Sequence, residues 1–250
     1  MSFVTTERVM LTAGATDLPG AGADPTGEHV RDVLLVALTV ASGAVDAISY
    51  FGLGHTFSAF MSGNMVFLGF GIADIDRHWS PIVLALSTFA VGSHVGVRIA
   101  TRRTQESGLW PPRMSFLLAL VVLAEAGFFA VWSATAGHPP TEITYVLIVF
   151  FSLAMGIQTA AVRSLDVQGV FTTAGTFTLV AVTGILAGAR PRAEMPRLAG
   201  VLAGLVAGAS VGGLLFLHAR NYAPALPLVI TVLVILAGRT MRRAPRRQTH

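Results

Sequence analysis

Asp46 stands in an apolar stretch, within Gly43-Ala44-Val45-Asp46-Ala47-Ile48-Ser49-Tyr50. An acid inside a membrane-spanning helix costs roughly 2.5–3.5 kcal/mol on insertion scales, so it faces a bundle interior or a wet cavity. Two chemistries suit it there: coupling a proton or cation to transport, or bonding a broken chain segment or a base such as Arg163. Ser49, three residues on, shares its helix face and adds a second polar contact. Glu125, in Leu123-Ala124-Glu125-Ala126-Gly127, is the Glu set deepest in an apolar run. By the same cost it is a proton-relay candidate. His94, between Gly92 and Gly96, is its candidate partner, since histidine is the side chain that changes charge nearest neutral pH. A packing histidine at a tight helix crossing is the alternative.

A second group of polar residues comes in two copies. Ser62-Gly63-Asn64 interrupts one apolar run and Ala174-Gly175-Thr176 another. Gly43 and Gly156 precede them at nearly the same distance, with a slip of one residue, and Gly92-Ser93-His94-Val95-Gly96 answers Gly208-Ala209-Ser210-Val211-Gly212 further on. Three echoes in one order point to a duplicated chain, with halves over 32–134 and 143–238. Gly63 and Gly175 are the candidate helix breaks. A helix that starts at such a break turns unpaired N–H groups and a positive dipole end inward, which favours an anion or a polar solute. Asn64 and Thr176 suit either capping those ends or contacting the solute. Gln158 and Thr159 occupy the neighbourhood equivalent to Asp46. The expected solute-binding set is therefore Asp46, Ser49, Asn64, Gln158 and Thr176.

These residues need a membrane fold to position them. The chain is 53% hydrophobic and 12% charged, against roughly a quarter charged in soluble domains, and its mean hydropathy is +0.68. Residues 1–31 read as a disordered tail without signal-peptide patterning, and 241–250 as a basic tail. Between them, apolar stretches fall at about 33–53, 57–73, 81–100, 114–134, 143–162, 170–188, 198–218 and 223–238. Spanning takes about 20 residues. The second and sixth stretches are studded with Ser, Thr, Asn and Gly, and only Gly54-His55-Thr56 joins the first to the second.

The charges arbitrate. Every one of the seventeen basic residues is Arg. With the second and sixth stretches re-entrant, six crossings remain, and only Arg77 and Arg220 fall on the side opposite all the others. Eight crossings divide the arginines far more evenly, against the positive-inside rule. The expected fold is all-α and polytopic, with six crossings plus two broken or re-entrant segments; eight crossings is the alternative. Three crossings per half make the repeat inverted, as in many transporters.

Several classes fall away. The chain has no cysteine, so thiolate metal sites and cysteine nucleophiles are excluded. Its histidines show no metal-ligand spacing with carboxylates, and no Gly-x-Gly-x-x-Gly string is present. No metal and no cofactor is expected. The arginines sit at the ends of apolar runs rather than in a basic stripe, so nucleic acid is not an expected partner. The expected partners are the lipid bilayer, a small polar solute and a second copy of the chain packed through the glycine ladders; the Gly204-Gly208-Gly212 ladder serves equally for close packing within one copy.

The string Gly43-Ala44-Val45-Asp46-Ala47, the Ser62-Gly63-Asn64 element, and Gly156-Ile157-Gln158 followed by Thr172-Thr173 and Gly175-Thr176 resemble the YoaK-like family of bacterial integral membrane proteins. The resemblance covers roughly residues 32–240. It implies membrane location and brings no settled activity, since that family is classed as a domain of unknown function. Members carry a Thr-Gly pair before the polar residue in both halves, where this chain has Ser62-Gly63 and Ala174-Gly175.

The expected function is a transporter or channel for a small polar solute in the cytoplasmic membrane, with both termini cytoplasmic. The competing class is a non-transporting scaffold or accessory subunit. An enzyme is not expected, because no nucleophile, base and metal constellation is recognisable.

Overall fold

Apolar runs of about twenty residues can satisfy their backbone in lipid only by bonding within a helix, and the chain does so six times. A computed structural model describes residues 25–73, 79–101, 108–165, 167 and 175–243. The helices are α1 (Pro25–Gly52), α2 (Met61–Ile72), α3 (Trp79–Thr101), α4 (Pro112–Ala134), α5 (Thr141–Arg163), α6 (Gly175–Leu186), α7 (Met195–His218) and α8 (Ala225–Arg243). One-turn 3-10 helices at Arg192–Glu194 and Arg220–Tyr222 precede α7 and α8. Among the described residues six helices are long and apolar enough to cross a membrane; α2 and α6, at 12 residues each, are not. Residues 1–24 and 244–250, Arg77 and Ala174 lie outside the described set. Both helices at the ends reach into the stretches expected as tails: α1 begins at Pro25 and α8 continues to Arg243.

Side-chain pairs fix the direction of each helix. At one end of the bundle Trp132 Nε1 donates to the carbonyl of Arg220 at 2.9 Å, and Phe51 and Phe216 lie 5.9 Å apart. Gly52 packs under the Trp132 ring. Ser80 and Tyr145 share a hydrogen bond of 2.9 Å there as well. This end therefore collects the C-termini of α1, α4 and α7 and the N-termini of α3, α5 and α8. At the other end Arg113 Nη2 reaches the Ser164 carbonyl at 3.5 Å, Gly238 lies against Trp110, and Arg197 pairs with Asp32 at 3.7 Å. Because α1 ends where α3 begins, α2 enters and returns on one face. Because α5 ends where α7 begins, α6 does the same on the opposite face. An eight-crossing chain would instead run α4 and α8 parallel, and the Trp132–Arg220 and Trp110–Gly238 pairs show them antiparallel.

Burial ranks the helices. Over their most apolar windows α5 is 67% buried and α1 61%, whereas α3 is 22% and α7 28%. The centre is thus α1 and α5, and α3 and α7 present most of their surface to lipid. Two glycine crossings bind these pairs. Gly43 of α1 sits against Leu205 O and Ala209 N of α7, and Gly208 and Gly212 sit against Val40 O and Ala44. In the same manner Gly156 of α5 sits against Phe89 O and Ser93 N of α3, and Gly92 and Gly96 sit against Leu153 O and Ile157. An added side chain would strike the backbone of the facing helix at each of these points except Gly96, where it would strike Ala160 Cβ, so glycine allows this approach. The glycine ladders are consumed within one chain; they are not a face left open to a second copy.

Candidate functional site

The reversal after α1 is made by two residues in the left-handed region, Gly54 at φ +73° and His55 at φ +57°. Glycine takes this conformation without strain, whereas His55 takes it at a cost. The chain then runs back down the side of α1. Asp46 Oδ1 accepts the backbone N–H groups of Ser58 at 3.0 Å, Ala59 at 2.7 Å and Phe60 at 3.3 Å. Those donors directly precede α2 and would otherwise be orphans at membrane depth. Asp46 lies six residues before the end of α1, which is about 9 Å of helix rise, so α2 starts well inside the bundle and climbs back out.

Asn64 closes the same turn from the other side. Its Nδ2 donates to the Phe57 carbonyl at 2.7 Å and its Oδ1 accepts the Phe57 N–H at 3.0 Å. Asn64 is the buried residue of α2. Aromatic rings pack around this clamp: Phe57, Tyr50 and Phe67 form a three-ring cluster, with Phe57 5.0 Å from Tyr50 and 5.8 Å from Phe67 and the latter two 6.4 Å apart. Gly63 lies within the first turn of α2, and an added Cβ would strike the rings of Phe60 and Phe57. The break itself therefore falls at 53–60, and Gly63 makes room for the rings that seal it. Ser49 donates only to the Asp46 carbonyl one turn back, at 3.2 Å.

On α5, Gln158 Nε2 donates to the Leu38 carbonyl of α1 at 3.3 Å. Leu38, Ser42 and Asp46 follow at intervals of four and so share one face of α1. Ser42, Ser58, Ser152 and Gln158 are all fully buried, and Ser42 Oγ, Ser58 Oγ, Ser152 Oγ and Gln158 Oε1 have no hydrogen-bond partner. Ser42 was legible from its spacing to Asp46, and Ser58 was not, because its place depends on the chain reversal.

Four expected residues lie away from this turn. Thr176 is exposed at the start of α6, and the buried hydroxyl of that helix is Thr178, two positions on; a β-branched pair around Phe177 gives no sequence signal for which one turns inward. Gly175 opens α6 against Leu202 and Leu205 of α7, about two turns beyond the start of α7, so α6 also begins deep. His94 is exposed on α3. It is not the partner of Glu125, whose Oε1 accepts from Thr231 Oγ1 of α8 at 3.3 Å while Oε2 has no partner. Glu125 and Thr231 are both fully buried. Among the described residues no cluster of three His, Cys, Asp or Glu could hold a metal ion.

Six apolar crossings, a re-entrant helix on each face and a turn held by polar side chains define an all-α polytopic membrane protein that contacts the lipid bilayer. The chain belongs to the family described as "Protein of unknown function (DUF1275)", which matches residues 34–237. It is 34% identical over 165 residues to the "UPF0700 transmembrane protein YoaK" of Bacillus subtilis (strain 168), covering 65% of this chain and 70% of that protein. No solved structure matches it.

Proposed function

We propose that the protein is a secondary transporter or channel for a small polar solute, built from two inverted halves in the cytoplasmic membrane with both termini on the cytoplasmic side. The observation that carries this reading is the turn at 53–60, in which Leu53, Thr56, Ser58 and Ala59 are buried while Gly54, His55 and Phe60 are exposed. Irregular backbone at membrane depth survives where protein buries it or where it lines a wet path, and here it is flanked by fully buried hydroxyls and an amide oxygen without partners. The halves are supported by the exchanged crossings: α1 on α7 and α5 on α3 use the glycines that correspond in sequence. Helices with N-termini that start deep and leave on opposite faces are the arrangement of inverted-repeat transporters. The positive-inside rule puts the face rich in arginine in the cytoplasm.

In this reading Asp46 and Asn64 hold the turn rather than the solute, since Asp46 Oδ1 accepts three backbone N–H groups and Asn64 bonds both backbone groups of Phe57 and reaches Met61 Sδ at 3.7 Å. Gln158 contacts the solute, Ser49 and Thr176 stand aside from it, and Glu125 is the candidate proton carrier. No step of bond chemistry is assigned, so the protein is not an enzyme in this reading. The test is solute flux into proteoliposomes, followed by stopped-flow light scattering with urea, glycerol, ammonium, formate and nitrate. Flux of at least one of them above protein-free vesicles supports transport; vesicles no more permeable to any of the five than controls would favour the scaffold class.

A further inference from the structure

We infer that the polar stripe along α1 takes a small uncharged solute bearing N–H or O–H groups, and that the chain's own Asp46 carboxylate keeps anions out of it. This rests on the transport reading above and adds the class of solute.

Successive backbone N–H groups at a helix N-terminus form the usual cradle for an anion. In this protein the cradle of Ser58, Ala59 and Phe60 is already filled by Asp46 Oδ1. The broken helix therefore offers no positive end to a solute. What remains unsatisfied is Gln158 Oε1, Ser42 Oγ and Ser58 Oγ, each in a residue of 0% exposure. They follow one another along α1, from the Leu38 carbonyl that anchors Gln158, past Ser42, to Asp46 and the turn it holds. From Leu38 to Asp46 is about 12 Å of helix rise.

The stripe carries no positive charge. An amide oxygen only accepts hydrogen bonds, and a hydroxyl accepts as readily as it donates. The chain has no lysine, and among the described residues no arginine or histidine is fully buried. An anion would find two neutral hydroxyls to donate to it, but also the Gln158 oxygen and the Asp46 carboxylate, with no opposing charge. A cation would exchange its hydration for one carboxylate already shared by three N–H groups, and the desolvation of an ion costs several kcal/mol. An uncharged amide or polyol pairs with the orphaned oxygens and avoids that cost.

The test compares the uncharged probes urea and glycerol with formate, nitrate and ammonium in the same proteoliposomes, for the native protein and for Ser42→Ala. The Ser42 hydroxyl has no partner, so its removal leaves thermal stability unchanged or higher while lowering flux of the uncharged probe roughly threefold to tenfold, as loss of one hydrogen bond to solute would. A second variant, Ser58→Ala, is expected to behave the same way. Formate, nitrate or ammonium passing as fast as urea or glycerol would overturn the inference and leave transport standing, as would full flux of the uncharged probe through both alanine variants. No flux of any probe overturns the transport reading itself, and this inference with it.

Discussion

Asp46 Oδ1 accepts the N–H of Ala59 at 2.7 Å, the shortest of three backbone bonds that converge on one carboxylate oxygen. A charge-assisted bond of this kind contributes about 1.5–3 kcal/mol, and a buried donor left without its partner costs about 1–3. Asp46→Asn keeps an acceptor at the same place and is expected to lose only one to two kcal/mol, roughly the difference between charged and neutral bonds. Asp46→Ala abandons three donors at once and should lose most of the folded population. Thermal unfolding of the two variants in detergent, followed by circular dichroism, separates them; equal melting temperatures would mean that the turn does not depend on Asp46.

Glycine at the two helix crossings has a different role from glycine elsewhere. Gly156→Val places a branched side chain against Phe89 O and Ser93 N, and Gly208→Val does so against Val40 O. Backbone cannot give way as a side chain does, so both variants are expected to fail to yield monodisperse protein by size-exclusion chromatography. Gly69 in α2 has nothing within 4 Å of an added Cβ, and Gly69→Ala should be neutral or more stable by about 0.5–1 kcal/mol through helix propensity.

The chain has no cysteine, so single cysteines report sidedness directly. Ala73 follows α2 and Ala189 follows α6, and both are exposed. Ala73→Cys is expected to react with a membrane-impermeant maleimide on the same side as Tyr222→Cys, and Ala189→Cys on the side of Arg239→Cys. Ala73 reacting together with Arg239 would mean that α2 crosses.

Thr231 Oγ1 lies 3.3 Å from Glu125 Oε1 in a fully buried setting, and the same hydroxyl has the Pro227 carbonyl at 2.9 Å. Thr231→Val keeps the shape and removes the hydroxyl, leaving the carboxyl stranded at a cost of about 1–3 kcal/mol. Adding Glu125→Met replaces the stranded acid by an apolar side chain and should recover most of the loss. A double-mutant cycle on melting temperature checks the pair; additive losses would show that the two side chains do not interact.

The sequence by itself determined where the helices lie and how many cross. Apolar length marked every segment to within about five residues except the start of α1, which lies eight residues earlier than expected, because a spanning run must be apolar throughout. The split of the arginines, with Arg77 and Arg220 apart from the rest, chose six crossings over eight, and the antiparallel Trp110–Gly238 and Trp132–Arg220 pairs agree. Asp46 and Asn64 stood out in the sequence because polar groups in an apolar run are costly enough to need a reason. What each one touches was not legible. Only the tertiary structure decided that Asp46 spends its oxygen on Ser58, Ala59 and Phe60, that Glu125 meets Thr231 rather than His94, and that Thr178 rather than Thr176 turns inward. The reason is physical. Segment positions follow from local transfer energies summed along the chain, whereas the partner of a buried polar group is set by which face each helix turns to a neighbour far away in sequence, and helix rotation is fixed by packing, as at Gly43 on α7 and Gly156 on α3.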